Sequence, residues 1–279
     1  MTWRIACRHQ TSYRYQGPAY ASFNEVRISP LTTLRQTVLE ADVTVEPKVS
    51  CYRYWDYWGT LVHCFDLHDP HTELVVTADS ITEVDPPPPP VAGSWETIHS
   101  PETVERFSEL LMPTHFVPAD PDLAREARHI VRGLEPLAAA GALAEWTRAR
   151  LAYEPGATAV STSATEALRM GRGVCQDFAH LLLLMLRSVG IPARYVSGYL
   201  HPHPDAGVGA TVLAESHAWV DAWLGDWVAI DPTNMTPVST GHVTVARGRD
   251  YEDVPPIRGV YQGDAVDQLS VRVEMTRLR

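Results

Sequence analysis

The sequence predicts an α+β protein in which an antiparallel β-sandwich-like domain precedes a domain of mixed helices and strands. Three observations support this prediction. Short runs of strand-forming residues separated by turn signals fill the first 84 residues, five consecutive prolines follow, and helical patterns begin only after them. We therefore divide the 279 residues into a β-rich domain at 1–85, a proline-rich linker at 86–94 and a second domain at 95–279.

Six strands are predicted in the first domain. Each is a run rich in β-branched or aromatic residues between turn-forming residues, and short strands of this kind pack as antiparallel sandwiches or half-barrels. Their ranges are Arg4–Tyr15, Glu25–Ile28, Thr37–Val45, Val49–Tyr57, Thr60–Leu67 and Glu73–Val84. The prolines at 86–90 then form a stiff extended spacer, because proline fixes the backbone and cannot continue a strand ladder.

Helices are predicted in the second domain where apolar residues recur at helical spacing. They cover Glu102–Leu111, Asp122–Leu134 and Leu137–Leu151, and a further helix begins near Cys175 and ends before Gly190. Two strands follow near the end, at His242–Ala246 and Gln268–Leu278. We expect a loop at Gly248–Pro256, and the sequence leaves open whether it lines a cleft or only packs.

Cys175 lies where a glycine-rich segment meets the start of a leucine-rich helix. The unpaired N–H groups and the positive end of the helix dipole favour an anion at such a position, which suits a thiolate nucleophile. Gly171 and Gly173 allow a sharp bend before the cysteine and are expected to leave room for a substrate. The competing interpretation is a small buried hydrophobic residue with no chemical role.

A β-hairpin is predicted between His217 and Asp231, because two strand-like runs flank a turn at residues 224–226. With the turn centred on Leu224, the histidine and the aspartate face each other across the strands. Opposed residues have Cβ atoms about 5 Å apart, which lets an imidazole bond a carboxylate. The pattern therefore predicts Cys175 as nucleophile, His217 as general base and Asp231 as the group that orients the histidine.

Four sequence blocks resemble the core of the bacterial transglutaminase-like superfamily. They are Gly173–His180, Gly190–Tyr199, Ser216–Val220 and Trp227–Asn234, and the segments Tyr13–Tyr15 and Asp56–Gly59 also resemble the β-rich region that precedes this core in bacterial relatives. The resemblance implies a papain-like fold, with the cysteine helix packed on an antiparallel sheet that carries the histidine and the aspartate. It also implies that Cys175, His217 and Asp231 form the family's catalytic triad.

The resemblance further implies an enzyme that attacks an acyl carbon and forms a thioester. We expect a cysteine protease or amidase-like hydrolase of peptide, isopeptide or glutamine amide bonds, because bacterial relatives are commonly described as cysteine proteases. Transamidation of protein glutamine and a catalytically inactive binding module are the alternatives. Tyr153 is a candidate second oxyanion donor, by analogy with an aromatic residue of animal transglutaminases, although it could instead pack against the helix.

Charge and composition exclude several other classes of function. The formal charge is −11, and no basic run offsets it, so we expect neither nucleic-acid nor membrane partners. No apolar stretch is long enough to span a bilayer and no signal peptide is recognised, so a cytoplasmic location is expected. The four cysteines are not spaced as metal ligands, and acyl transfer by a thiolate needs no cofactor or metal. The sequence leaves the oligomeric state open.

Overall fold

Strands dominate both ends of the chain and helices its middle, in a computed structural model that describes residues 1–203, 205 and 207–279. The α+β class is confirmed. The described strands are β1 (Trp3–Val26), β2 (Gln36–Glu46), β3 (Tyr52–Trp55), β4 (Leu61–Leu67), β5 (His71–Val84), β6 (Ala152–Tyr153), β7 (Arg172–Gly173), β8 (Ala193–Leu200), β9 (Thr211–Trp223), β10 (Trp227–Ile230), β11 (His242–Gly248), β12 (Ile257–Gly263) and β13 (Val266–Arg277).

The described helices lie between β5 and β8. They are α1 (Trp95–Ile98), α2 (Pro101–Arg106), α3 (Pro121–Ile130), α4 (Pro136–Arg150), α5 (Ala164–Met170) and α6 (Cys175–Ser188), with short 3₁₀ turns at Ser108–Leu110 and Tyr251–Asp253. The predicted helices correspond to α2, α3, α4 and α6, whereas α1 and α5 were not predicted. Over the described residues, none of these helices has both the length and the apolar character needed to cross a membrane.

The first strand is twice as long as predicted. Arg4–Tyr15 and Glu25–Ile28 were expected as separate strands, but both begin within the 24 residues of β1. Its pairing registers shift near Arg14 and Ala19, so the Gly17–Pro18 segment is accommodated as an irregularity within the strand instead of ending it. As a result, β1 pairs with β5 and β13 along its first half and with β4 and β12 along its second.

Eleven of the thirteen described strands form an antiparallel sheet whose longest path runs β11-β8-β9-β13-β1-β4-β3, while β6 and β7 pair separately as a parallel two-stranded sheet. Strand β10 pairs with β9, β12 and β5 pair with β1, and β2 pairs with β5. Strand β13 therefore connects the first strands of the chain to the strands that carry the candidate site. The division of the chain into two domains at residues 86–94 stays a prediction. Strands from both predicted domains belong to this one sheet.

The described residues form two large apolar cores and a third, small one around Trp219. The smaller of the two large cores is built from the N-terminal strands, around residues such as Val26, Phe65 and Val76. The larger one surrounds α6, whose residues 178–186 are at most 2% exposed. A helix that is apolar all round must be enclosed by other elements. Each fully buried leucine contributes about 2 kcal/mol to stability, so the cysteine-bearing helix is anchored firmly.

Candidate active site

Cys175 is the first residue of α6, as the sequence predicts, and its side chain is partly exposed. The segment before it is fixed by Asp177, whose Oδ2 accepts the backbone N–H of Val174 at 2.8 Å and the hydroxyl of Thr158 at 2.7 Å. These bonds satisfy groups at the beginning of the helix and hold the cysteine in place.

Gly171 and Gly173, which precede the cysteine, have different structural roles. Gly171 ends α5 in the left-handed conformation, with φ of +67°, which glycine adopts without strain. Gly173 lies directly against Asp177, and a Cβ at this position would come within 2.5–2.8 Å of that side chain. The expectation that Gly173 leaves room for a substrate is therefore wrong, because the Asp177 carboxylate fills the space.

His217 and Asp231 are in contact, with 2.8 Å between Nε2 and Oδ2. The prediction that they are directly opposed across the hairpin is wrong. The observed register pairs Ile230 with Val220, so Asp231 lies one residue beyond β10 and meets His217 diagonally. The turn is centred on Gly225, which has a φ of +100°. This is one residue later than predicted, which moves the whole register by two residues.

The carboxylate of Asp231 is buried and held from several sides. Oδ1 accepts the backbone N–H groups of Thr233 and Asn234 at 2.9 and 3.1 Å. Oδ2 accepts the side-chain amide of Asn234 at 2.9 Å in addition to its contact with His217. These bonds form because the chain turns sharply after β10, and they aim the carboxylate at the imidazole.

Charge in the site favours an imidazolium ion. Burial opposes protonation of His217, but its side-chain hydrogen bonds with Asp231 and Cys175 outweigh burial and raise its pKa from 6.5 to about 9. Burial likewise opposes ionisation of Asp231, yet its contacts with His217, His242 and Asn234 bring its pKa well below the ordinary value. With Nε2 of His217 turned to the carboxylate, Nδ1 remains for the thiol. The structure thus brings the three predicted residues together.

A cleft of about 420 Å³ opens beside His217. Its volume is in the range of small-molecule or peptide side-chain sites. It is lined by Arg148, Tyr153, Leu200, Pro202, Leu213, Ala214, Glu215, His217, Thr233 and Asn234. Tyr153 is 44% exposed and lines the cleft together with Glu215, so it does not only pack against α6. Burial raises the pKa of Tyr153, and the nearby Cys175 and Glu215 raise it further.

A second cavity, of about 480 Å³, lies farther along the sheet. Arg194, Arg247 and Trp227 line it, together with residues of α2 and of the turn after β3. The two arginines both approach the buried carboxylate of Asp221, at 2.9 and 3.3 Å. Although larger, this cavity contains none of the three predicted site residues, so we assign the chemistry to the cleft beside His217.

The loop predicted at Gly248–Pro256 packs against α6. The backbone N–H of Tyr251 donates to Nε2 of His180 at 3.2 Å, and the guanidinium of Arg187 donates to the carbonyl of Arg249. Burial lowers the pKa of His180 to about 3, so this histidine is neutral and structural. None of the described residues that line the cleft belongs to this loop.

Sequence reasoning missed two polar neighbours of Asp231. Asn234 follows it in the same turn, while His242 comes from β11, with its Nε2 3.7 Å from Oδ2 of Asp231. Nitrogen and oxygen atoms of His217, Asp231 and His242 lie within 4.8 Å of one another, which is close enough for metal ligands. Only the adjacency of Asn234 to Asp231 was readable from the sequence; His242 has no local signal.

Comparison with known families identifies this arrangement. Residues 125–232 match the model described as the transglutaminase-like superfamily, and residues 5–83 match the bacterial transglutaminase-like N-terminal region. The chain belongs to the transglutaminase-like superfamily. The two matches cover the N-terminal strands and the segment from α3 to Asp231, and the core match includes Cys175 and His217.

Relatives of this transglutaminase-like chain match either nearly all of it or about half of it. An uncharacterized protein of Mycobacterium leprae is 48% identical over 99% of each chain. A solved structure described as a "Putative Cysteine Protease" from Cytophaga hutchinsonii covers 100% of this chain and 92% of its own, with a TM-score of 0.80 and 21% identity, and shows the same fold. A protein-glutamine gamma-glutamyltransferase of Pseudomonas aeruginosa is 31% identical over 46% of this chain and 20% of its own.

Proposed function

We propose that this chain is a cysteine-dependent acyl-transfer enzyme acting on amide bonds of peptides or proteins. Cys175 is the nucleophile, His217 the general base and acid, and Asp231 the group that orients His217 and stabilises its charged form. The observation that carries the proposal is the 2.8 Å contact between His217 and the buried carboxylate of Asp231, beside an open cleft and with Cys175 near enough to raise the pKa of His217.

The reaction runs in two halves. His217 takes the thiol proton, the sulfur of Cys175 attacks the carbonyl carbon, and a tetrahedral oxyanion forms. His217 then gives the proton to the departing nitrogen, so ammonia or an amine leaves and a thioester remains. In the second half His217 deprotonates water or an acceptor amine, which attacks the thioester and restores the thiol.

The oxyanion needs donors that are already in place. The backbone N–H of Cys175 lies in the first turn of α6, where amides have no partner within the helix. We assign the second donor to the hydroxyl of Tyr153, which borders the cleft on the side of Cys175.

Hydrolysis is the outcome we favour, because the Cytophaga hutchinsonii protein with the same fold is described as a "Putative Cysteine Protease". Transamidation is the second candidate, since a relative named as a protein-glutamine gamma-glutamyltransferase aligns with 46% of this chain. Access of water to the thioester decides between them. In the third candidate, an inactive binding module, the thiol would not be activated.

One product analysis separates these outcomes. Wild-type protein and Cys175→Ala are incubated with a library of peptides and peptide amides, with and without a primary amine, and the products are analysed by mass spectrometry. Backbone cleavage indicates a protease, a gain of about 1 Da at glutamine indicates deamidation, and amine incorporation indicates a transferase. Cys64→Ser is the matched control, because Cys64 is also a free, partly exposed thiol. Activity that survives in Cys175→Ala would contradict the proposal.

The state of the cysteines bears on the compartment in which the enzyme works. All four cysteines are free, and free thiols persist in a reducing compartment, so we propose a cytoplasmic location. The proposed chemistry uses no metal and no cofactor. Its partner is a peptide or protein substrate; nucleic acid and membrane are not part of the proposal.

A further inference from the structure

His242 is the first residue of β11 and lies beside the predicted triad, outside the 125–232 segment matched by the core family. Its side chain is 4% exposed, and its Nε2 is 3.7 Å from Oδ2 of Asp231. Among the described residues this nitrogen has no hydrogen-bond partner. A buried polar atom without a partner is unusual and calls for a physical explanation.

The other ring nitrogen of His242 determines where its proton lies. The backbone N–H of Ser239 donates to Nδ1 at 3.1 Å. A ring nitrogen that accepts a hydrogen bond carries no proton, so the neutral imidazole must carry it on Nε2. Burial lowers the pKa of His242, although the nearby Asp231 opposes this, and the ring is therefore neutral at neutral pH. The resulting N–H lies next to the Asp231 carboxylate.

We propose that His242 is a positioning residue of the active site, which holds Oδ2 of Asp231 against Nε2 of His217 by donating its own Nε2 proton. The proposal rests on the thiol chemistry proposed above. When His217 takes the thiol proton, Asp231 must stay ionised and aligned, and a second donor beside the same carboxylate oxygen supports both. Contacts of this kind are often long in free enzymes and shorten when substrate binds.

The surroundings of His242 contain few charges that could compete. The ionisable groups that act on it are Asp231 and His217, whose ring centre is 6.2 Å away. The edge of the Trp219 ring packs against it at 5.3 Å between ring centres. Since the neighbouring ring is apolar, the polar contact with the carboxylate is weakly screened.

A metal ion is the other explanation for these three side chains. Binding it through Nε2 of His242 would move the ring proton to Nδ1, where the N–H of Ser239 already points. The ion would also replace the 2.8 Å contact between His217 and Asp231. The proton-donor role keeps both hydrogen bonds, so we favour it and make the metal an outcome of the test.

Two substitutions separate positioning from packing. In His242→Gln the amide nitrogen can take the place of Nε2, whereas in His242→Asn the carbonyl oxygen can take the place of Nδ1 and no donor reaches Asp231. The measurements are alkylation of Cys175 by iodoacetamide between pH 5 and 10 (about the range in which histidine and cysteine titrate), turnover of the substrate found in the library, and thermal unfolding.

We expect His242→Gln to keep most of the activity and His242→Asn to lose about 10- to 100-fold, the effect of one hydrogen bond to a charged group. The pH profile of alkylation should also move to higher pH in His242→Asn, because a less stabilised imidazolium stabilises the thiolate less. Equal behaviour of the two variants, or a larger loss in His242→Gln, would overturn the proposal. So would activity that disappears with EDTA and returns with Zn²⁺, which would establish the metal.

Two further results distinguish failure of the proposed function from failure of the role of His242. If wild-type Cys175 is not activated relative to His217→Ala, the proposed function fails, and the role of His242 fails with it. If the thiol is activated but His242→Asn behaves as wild type, only the role of His242 fails. Should the variants not fold, ¹⁵N NMR of the wild-type histidine rings decides, because we expect the Nε2–H tautomer for His242 and the Nδ1–H tautomer would overturn the proposal.

Discussion

Replacing Asp231 with asparagine tests the electrostatic role of its carboxylate. The new side chain keeps an oxygen that can accept the N–H groups of Thr233 and Asn234, so the turn should persist. Its amide would face Nε2 of His217 and donate to it. That nitrogen must then accept, and the ring proton moves to the nitrogen facing Cys175, which can no longer take the thiol proton.

The expected loss of activity follows from the shift in the pKa of His217. Its pKa rises from 6.5 to about 9 against the opposing effect of burial. Each unit corresponds to about 1.4 kcal/mol, so the carboxylate and the thiol together stabilise the imidazolium by at least about 3 kcal/mol. Without the carboxylate we expect the pKa of His217 to fall below 6.5. Turnover should drop by about 10³- to 10⁴-fold, as in other triads that lose this charge.

The assay is NMR titration of His217 labelled at Cε1, together with the pH dependence of Cys175 alkylation. Asp226→Asn is the control, because Asp226 is an exposed hairpin residue whose Oδ1 accepts the N–H of Trp227, a bond that asparagine can also make. Titration of His217 near pH 9 in Asp231→Asn, with unchanged alkylation of Cys175, would refute the reasoning.

Three further predictions concern stability and metals. The folded pKa of His217 exceeds its ordinary value, so its stabilising contribution should be complete below pH 6.5 and lost as pH rises through about 9; urea unfolding of wild type and His217→Ala across this range measures it. Gly173→Ala should displace Asp177 and cost about 1–2 kcal/mol in thermal unfolding, whereas Gly141→Ala in α4, where a Cβ meets nothing within 4 Å, should be neutral or stabilising. EDTA should leave both activity and melting temperature unchanged, and a loss of either that Zn²⁺ reverses would contradict the account.

Local sequence patterns were sufficient to predict a residue's position where a single helix or strand determines it. The leucine-rich run after Cys175 specifies a buried helix, and the glycines before it specify where the helix begins, so its first residue could be predicted. The alternation in β9 likewise agrees with the structure, in which Val220 and Ala222 lie in the large core while Trp219 packs on the other face. These features depend on periods within single segments.

Features set by distant contacts could not be predicted. The hairpin turn is fixed partly by Gly93, whose N–H donates to the carbonyl of Leu224, and a local count of residues cannot include that contact. Strand β1 continues through Gly17–Pro18 because partners on both sides pair with it. His242 reaches Asp231 from another strand, and only the folded sheet brings them together.

The most direct test of the central claim is competitive alkylation of the four cysteines at about pH 6, where an ordinary thiol is almost entirely protonated. Burial raises the pKa values of Cys7, Cys51 and Cys64, which makes them internal references. The account predicts that Cys175 is labelled much faster than the other three and that His217→Ala abolishes the difference. Labelling of Cys175 no faster than Cys51 or Cys64 would contradict it.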